Sequence, residues 1–559
     1  MDGMNSILTR TARLIFMVEL TGAGLATAYS VGPLSLNGGL NVGLSGYGVS
    51  GIATRQSPFS WVLTGDPSLS IYSISVPFSF VLSEQERSFR QPFDQFGLSP
   101  SWRWASVHLG YRNLTWSPYT LAGQTFLGAG LELNPGWLRL GAMYGRFRRA
   151  VKEDSIAAPP ASVEQTPAYR RTGYAFKLGF GRPTNYVDFI FLRAADDSSS
   201  LPYRPVKTEL MPAENAALGI SARQSIGRAL SFDLDLAASI LNRDQASPSI
   251  VSDQWAFKAL SSVITPRASA SYFIAGRTSL SLHLGPFDAT GQYERVDPEY
   301  TTMGVPSLTS DVSRLTFTPS LRLFGDRLNL SGTVGTEQDN LHHTKLATTG
   351  RTIWSAHAGL NPDPRWGVDA QVGNYATKQQ AGTQALNDTT RMKQANRNLT
   401  VSPHLSLVSG AVVHSIAVAL DYSGLADDNT FTRTENNSNS VTVVPTYSLA
   451  TAAVSVVAAG TFARVATGAG TTSVAGMSLS GTKPLLSNRL TLSLTPSFAV
   501  TRIDTISAGT FTGQAGADFR PQARHSLHAG LTYTISSAAG PGQPKFAEFK
   551  ANSGYTFSF

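Results

Sequence analysis

Residues 526–536 read SLHAGLTYTIS, and their side chains alternate between two chemical types. One parity holds only apolar side chains: Leu527, Ala529, Leu531, Tyr533 and Ile535. The other parity holds Ser, His, Gly and Thr. Successive side chains of an extended strand point to opposite faces, so this segment predicts a strand with one apolar and one polar face.

The same alternation recurs along the chain, for example in RLTLSLTPSFAV at 489–500 and in the segments 232–240 and 415–421. Half-solvated sheets of soluble proteins also alternate in this way. A typical strand of a soluble protein has about five or six residues, and a tilted membrane strand needs roughly 9 to 11. Many of these segments are long enough to be membrane strands. Segment length therefore favours strands that cross a membrane.

Short connections such as NPDPR (361–365), FGDR (324–327) and RPQAR (520–524) alternate with long polar loops along most of the sequence. This pattern is typical of an up-and-down meander whose turns lie on one side of a membrane and whose loops lie on the other. We predict an all-β, transmembrane, antiparallel up-and-down β-barrel of about 24 strands, within a range of about 22 to 26. An even count places both termini on the periplasmic side.

One region admits two strand counts. TSLSLHLGPFDATGQYERV, residues 278–296, reads as two strands separated at Gly285-Pro286 or as one long kinked strand. Breaking it there places the following long loops on the turn side. We therefore expect one kinked strand, preceded by a short turn at GRT, residues 276–278.

The last residues, ANSGYTFSF, carry aromatic rings at Tyr555, Phe557 and Phe559. This ending resembles the last-strand signature of Gram-negative outer-membrane β-barrel proteins, and the resemblance implies an assembly signal that the barrel-assembly machinery reads. A second, weaker resemblance covers residues 89–147, which are similar to uncharacterised outer-membrane proteins of Bacteroidota-like bacteria. It implies an outer-membrane location and no particular activity.

The N-terminus predicts export. Arg10 and Arg13 precede an apolar stretch, and Ala26-Thr27-Ala28 forms a small-x-small cleavage site. Glu19 interrupts the apolar stretch, so a frayed N-terminal segment is the alternative. We expect a signal peptide over 1–28 and a single barrel with long extracellular loops over 29–559. The absence of a separate N-terminal plug argues against a TonB-dependent receptor.

Composition excludes several chemistries. Charged residues make up 15% of the chain against about 25% in average globular proteins. The chain has no cysteine, which removes thiolate metal sites and thiol nucleophiles. Its formal charge of +8 is not concentrated in a basic run of the kind that binds nucleic acid. No motif predicts catalytic, cofactor or metal residues, and Gly-rich stretches such as GAGLEL (128–133) are expected to ease inward packing. We expect no enzymatic activity and no binding of a cofactor, a metal or nucleic acid.

Four segments share a Pro on the apolar parity: Pro319, Pro403, Pro445 and Pro496. Proline removes a ladder donor and is usually confined to edges or bulges. A closed barrel has no edge, so we expect local bulges at these positions.

The polar parity carries candidate lumen-facing residues: Asp188, Asp233, Asp235, Arg322, Asp369, His404 and His528. A mixed-charge lumen favours a porin-like channel or transporter for small solutes. The alternatives are a barrel whose lumen or loops dock another protein, an outer-membrane enzyme and a soluble secreted β-protein. Expected partners are membrane lipid, lipopolysaccharide and a lumen-plugging protein. Barrels of about 22 strands need a plug, and we expect loops 148–171, 194–214 and 242–264, or that separate protein, to supply it.

Overall fold

The computed structural model describes residues 34–71, 74–83, 95–152, 167–205, 210–251, 258, 263–383, 385–387, 389, 391–429, 431–537 and 544–559. The predicted signal peptide, residues 1–28, lies outside the described residues. Among the described residues, no helix combines the length and apolar character needed to span a membrane.

The described strands run in chain order as follows: β1 (Leu34–Asn37), β2 (Gly39–Ser50), β3 (Phe59–Gly65), β4 (Ser68–Ile71), β5 (Ile74–Ser83), β6 (Gln95–Leu98), β7 (Ser101–Trp102), β8 (Ala105–Asn113), β9 (Thr125–Leu133), β10 (Leu138–Arg148), β11 (Arg170–Arg182), β12 (Asn185–Asp197), β13 (Glu214–Ile226), β14 (Leu230–Asn242), β15 (Ala270–Leu284), β16 (Phe287–Val296), β17 (Val312–Leu323), β18 (Leu328–Gln338), β19 (Ala347–Asp363), β20 (Trp366–Ala381), β21 (Lys393–Ser409), β22 (Val412–Asp427), β23 (Ser438–Ala450), β24 (Ser455–Thr467), β25 (Gly470–Leu485), β26 (Leu490–Ile503), β27 (Ile506–Gln522), β28 (His525–Ser536) and β29 (Phe546–Ser558). A one-turn helix, α1 (Arg433–Asn436), follows β22, and a 3₁₀ turn (Ser198–Ser200) follows β12.

The strands form one closed antiparallel barrel. β1 and β2 are two parts of one wall strand, as are β3 and β4, and β6 and β7, so the wall contains 26 strands. The first and last strands close it, from Gly39 opposite Ser558 to Ser50 opposite Ala547. Closure gives the backbone N–H and C=O groups of the first and last strands hydrogen-bond partners, which they need because lipid offers none. The predicted transmembrane up-and-down barrel is confirmed, with a count close to the expected 24.

The two faces of the wall differ as the alternation predicts. On β14 and β15, Leu236 and Ile274 are exposed on the outer face, while Asp235 and Arg277 face the lumen and pair with each other. On β28, the apolar parity of the opening segment gives the outer face its exposed Leu531. Exposed apolar side chains on one parity around the wall identify a surface that lipid covers.

The connections fall at two distinct ends. The turn end, where the described N- and C-terminal residues also lie, has connections of at most four residues, such as Phe324 to Arg327. The loop end has the long connections, such as residues 243–269. Two loop-end connections are short, at 468–469 and 504–505, so the alternation of lengths weakens near the C-terminus.

The predicted kinked strand is wrong. β15 runs straight through residues 276–278, and the chain reverses at Gly285-Pro286. Gly285 adopts a positive φ of 60°, which suits a tight hairpin turn. Pro286 sits in that turn, where its missing N–H breaks no ladder bond. The number of strands is unchanged, but the turn lies at Gly285-Pro286 and not at residues 276–278, where the loop pattern placed it.

The expected bulges at the four prolines are also wrong. Each Pro lies directly opposite a residue on one neighbouring strand, as Pro445 lies opposite Val418. Toward its other neighbour the ladder skips two pairs and resumes in the same register, from Val443 opposite Phe462 to Thr446 opposite Ala459. The ladders at Pro319, Pro403 and Pro496 are interrupted in the same way. The wall tolerates a missing donor by omitting bonds without inserting a residue.

Pairing is sparse around the strand formed by β6 and β7. It shares six residue pairs with β5 and only four with β8. The closing seam between β2 and β29, by contrast, has twelve pairs. Among the described residues, the strand formed by β6 and β7 therefore has fewer paired residues than the junction between the first and last strands.

Candidate functional site: the lumen

The inner faces of β9 to β20 carry paired charges, and we call this part of the wall the charged sector. Its ion pairs include Lys177–Glu132 (3.1 Å), Arg139–Asp188 (2.7 Å), Arg223–Asp233 (2.5 Å), Arg277–Asp235 (3.0 Å) and Arg322–Asp288 (3.3 Å). Because each charge has a neighbour of opposite sign, the sector presents alternating dipoles to the lumen and little net field.

A row of four charged side chains crosses β16 to β19. The Arg314 guanidinium lies 3.4 Å from Glu294 and 2.5 Å from Glu337. Glu337 also accepts a hydrogen bond from Arg351 at 2.5 Å. The row alternates in sign along its length, so removal of Arg314 leaves Glu294 without its guanidinium neighbour and Glu337 with Arg351 alone.

The inner faces of β21 to β28 are dominated by hydroxyl side chains, and we call this part the hydroxyl sector. Several hydroxyls lie opposite each other, such as Ser480 and Thr495 at 2.9 Å. In the described part of this sector, ionic contacts on the inner face are few, with His528 and Asp518 at 2.8 Å as the clearest. Hydroxyls exchange hydrogen bonds readily with water and with polar solutes.

Residues 114–124, the inner loop, leave the loop end after β8 and fold into the lumen against the charged sector. Trp116 donates from its indole nitrogen to Glu132 at 2.9 Å. Tyr119 donates from its hydroxyl to Glu294 at 2.6 Å. Trp116 and Leu121 are buried with Phe126 and Leu192 in one apolar cluster. The loop is thus fixed by polar and apolar contacts with the wall.

A second connection, residues 297–311 between β16 and β17, holds the inner loop in place, and we call it the latch segment. Tyr300 donates from its hydroxyl to the carbonyl of Tyr119 at 2.6 Å. Thr302 donates to the carbonyl of Thr120 at 3.2 Å, and the Ala122 amide donates to Gly304 at 3.0 Å. The latch segment therefore satisfies backbone groups of the inner loop that would otherwise be buried without partners.

Asn215 anchors the latch segment to the wall. Its side-chain amide donates to Ser239 and to the carbonyl of Ile240, both at 2.8 Å, and its side-chain oxygen accepts from the Met303 amide at 2.9 Å. Asn215 is fully buried. Three hydrogen bonds from one buried side chain fix the position of the latch segment relative to β13 and β14.

Two glycines make room for the inner loop. A Cβ atom on Gly219 would lie 2.3 Å from the Thr120 hydroxyl, and one on Gly141 would lie 2.6 Å from the Trp116 ring. At Gly130, in the Gly-rich stretch GAGLEL, the nearest atom to such a Cβ belongs to Leu114, at 3.2 Å. These inward glycines therefore serve close packing of the loop, as the sequence predicts for this stretch.

Burial raises the pKa of the Tyr119 hydroxyl, and its hydrogen bond to Glu294 raises that pKa further. Burial likewise raises the pKa of Tyr300. Both phenols stay neutral and can act as donors at neutral pH and well above it.

The seven candidate lumen residues all lie on the inner face. Asp188, Asp233, Asp235 and Arg322 belong to the ion pairs of the charged sector. Asp369 lies 3.7 Å from His357, and His528 contacts Asp518. His404 lies on β21 opposite Gly367 and Ala417. The structure does not bring the seven together at one point, and their contribution to transport stays a prediction.

The loops predicted to fold inward are only partly described, since 153–166, 206–209, 252–257 and 259–262 lie outside the described residues. Of the described part, Ile264 packs against Ala216 and Ile240, which are on the outer parity of the wall. Within the described ranges, the inner loop and the latch segment enter the lumen, and Ala213 of the predicted loop 194–214 packs against the inner apolar cluster. Sequence analysis missed the inner loop and the latch segment, although Trp116, Tyr119 and Leu121 are bulky apolar residues in a connection expected to be polar.

The terminal rings lie on the outer face at the turn end. Phe557 packs on the His525 ring with centroids 4.9 Å apart, and Tyr555 and His525 share a hydrogen bond of 2.8 Å. Phe559 in turn contacts Phe557. Their recognition by an assembly machinery stays a prediction.

The comparisons with known proteins find no matching family model and no curated relative. Among solved structures, OccAB3 of Acinetobacter baumannii matches at 11% identity and a TM-score of 0.33, over 69% of this chain and 99% of that one. The FrpB iron transporter of Neisseria meningitidis matches at 10% identity and a TM-score of 0.36, over 94% of this chain and 82% of that one. The translocation pore of the P pilus usher PapC matches at 11% identity and a TM-score of 0.29, over 94% of this chain and 99% of that one. Values this low do not define a family for the chain.

Proposed function

We propose that this chain is an integral outer-membrane channel through which small polar solutes diffuse. The observation that carries the proposal is the inner loop, which is fixed to the charged sector by its own contacts and by the latch segment. A loop held against one side of the wall narrows the lumen without filling it. The hydroxyl sector opposite offers a hydrated surface along which solutes can pass.

The size of the barrel supports a passage. With strands about 4.8 Å apart and tilted by about 40°, a circular wall of 26 strands would measure about 50 Å across between backbones. The inner loop has eleven residues, 114–124, and occupies a small part of such a lumen. The paired charges predict weak discrimination between anions and cations. We propose no catalytic activity for this lumen.

The orientation follows from the proposed location. The turn end, with both termini, faces the periplasm, the loops face the exterior, and residues 1–28 direct export. The terminal rings act as the signal for the barrel-assembly machinery, and lipid with lipopolysaccharide surrounds the apolar exterior. These assignments rest on the one-sided arrangement of turns and loops.

Planar-bilayer recordings test the channel. We expect discrete conductance steps from the wild type and swelling of liposomes in isotonic solutions of small sugars. Replacing residues 115–123 by a Gly-Ser linker should raise the unit conductance, because it removes the narrowing element. Silence of both proteins in both assays would contradict the proposal.

A second candidate is a barrel that houses another protein in its lumen. It is favoured by the width of the lumen and by the hydroxyl sector, which no described loop covers. In that case, the protein purified from its own outer membrane should retain a stoichiometric partner and conduct only after the partner is removed.

A further inference from the structure

The turn end carries seven exposed arginines on or beside its short turns: Arg103, Arg182, Arg228, Arg327, Arg365, Arg489 and Arg524. None of their guanidinium groups lies within ion-pair distance of a carboxylate in the described residues, although Arg103 covers the Trp102 ring. Carboxylates also lie near this end, among them Asp326 and Asp363, and Asp288, which pairs with Arg322. We call these seven residues the arginine ring.

The loop end differs, because several of its exposed cations are neutralised. Arg170 pairs with Asp197, Arg243 contacts Glu299 at 2.6 Å, and Lys345 pairs with Asp311. Burial alone would raise the pKa of Asp311, but hydrogen bonds from Lys345 and from backbone amides outweigh it and hold that pKa below its usual value. The loop end therefore mixes paired cations with unpaired ones, whereas none of the seven arginines of the turn-end ring has a carboxylate partner among the described residues.

Exposed aromatic side chains accompany the arginine ring: Trp102, Trp104, Trp137, Phe324 and Trp366. Trp137 is 64% exposed and stacks on Phe180, and Phe324 is 76% exposed. Rings of this kind settle where the apolar layer of a bilayer meets its headgroups. Guanidinium groups on the adjoining turns consequently reach the level of the lipid phosphates.

We propose that the arginine ring binds the headgroups of anionic phospholipids in the leaflet that meets the turn end. The planar guanidinium group of an arginine can donate two hydrogen bonds to phosphate oxygens, which a lysine ammonium group matches less well. The seven arginines are spread over turns from residue 103 to residue 524, around most of a wall about 50 Å across. A small acidic protein could contact only part of such a ring, whereas a surrounding leaflet meets all of it.

Fluorescence quenching by brominated lipids tests the proposal, because four of the chain's eight tryptophans lie beside the ring. The full-length protein is reconstituted in vesicles of phosphatidylcholine containing brominated phosphatidylglycerol or brominated phosphatidylcholine. We expect wild type to prefer phosphatidylglycerol severalfold at low salt and to lose most of that preference at high salt. Equal quenching by the two lipids would overturn the proposal.

Two matched variants locate the effect. The turn-end variant replaces Arg228, Arg327, Arg365, Arg489 and Arg524 by Gln. The loop-end variant makes the same change at five exposed arginines without ion pairs in the described residues: Arg149, Arg397, Arg433, Arg464 and Arg502. We expect the preference to fall to about one only in the turn-end variant, with heat-modifiable gel mobility confirming that both are folded. An equal loss of phosphatidylglycerol preference in both variants would refute a lipid site. So would a wild-type protein that shows no lipid preference but copurifies with an acidic protein. If the turn-end variant does not fold, Arg327→Gln alone should lower the preference partly.

Discussion

Tyr119 and Glu294 are 175 residues apart in the sequence, yet the tyrosine hydroxyl donates a hydrogen bond of 2.6 Å to the carboxylate across the lumen-facing wall. The contact joins the inner loop to β16, the strand that leads into the latch segment. This hydrogen bond therefore connects the narrowing element to the strand from which the latch segment continues.

This contact predicts an alkaline limit to channel behaviour. Burial raises the pKa of Tyr119 and of Tyr300, so the docked loop is stabilised fully below the ordinary tyrosine pKa of 10.0 and progressively less as pH rises above it. Unit conductance should stay constant from pH 7 to about pH 10 and become larger or noisier above it. Tyr119→Phe should show the larger or noisier current already at neutral pH, and an unchanged trace from that variant would contradict the role of the contact.

Asn215→Ala should loosen the latch segment. The substitution leaves the Met303 amide and the Ile240 carbonyl without their partner, at a cost of about 1–3 kcal/mol for each buried group left unpaired. We expect a lower temperature for the heat-modifiable gel shift and more frequent current fluctuations. Asn398→Ala, at an exposed position on the inner face of β21, serves as the control and should behave as wild type.

Arg314→Ala should make the channel cation-selective. Glu294 loses its guanidinium neighbour, and Glu337 retains only Arg351. Uncompensated carboxylates on a lumen wall attract cations. The reversal potential in a salt gradient measures the change, which should be largest at low ionic strength. Arg314→Lys should keep the wild-type value, and a shift of equal size in this variant would assign the effect to geometry and not to charge.

Removal of residues 557–559 should lower the amount of protein in the outer membrane. The deletion eliminates the outer-face packing of Phe557 on His525 and the predicted assembly signal together. Phe549→Ala changes a ring on the same parity of β29 toward the loop end and should have a smaller effect. Membrane fractionation with immunoblotting compares the two, and equal levels for both would argue against a signal at the terminus.

The alternation of single strands was sufficient to predict the barrel because a strand that separates lipid from water imposes the same period on every residue, as residues 526–536 illustrate. The turn at Gly285-Pro286 was misplaced because loop length, used to locate it, constrains the chain less than backbone geometry does. The inner loop could not be located from sequence. Its partners Glu294, Tyr300 and Gly219 lie far from it in the chain and meet it only after the wall has closed.

The strand formed by β6 and β7 has fewer residue pairs with β8 than the first and last strands have with each other. In the part of the chain that the structure describes, this strand shares four residue pairs with β8, whereas β2 and β29 share twelve. Amide hydrogens of residues 95–113 should therefore exchange with solvent deuterium before those of the terminal strands. On heating, we expect the hydrogen bonds between β7 and β8 to open before those between β2 and β29.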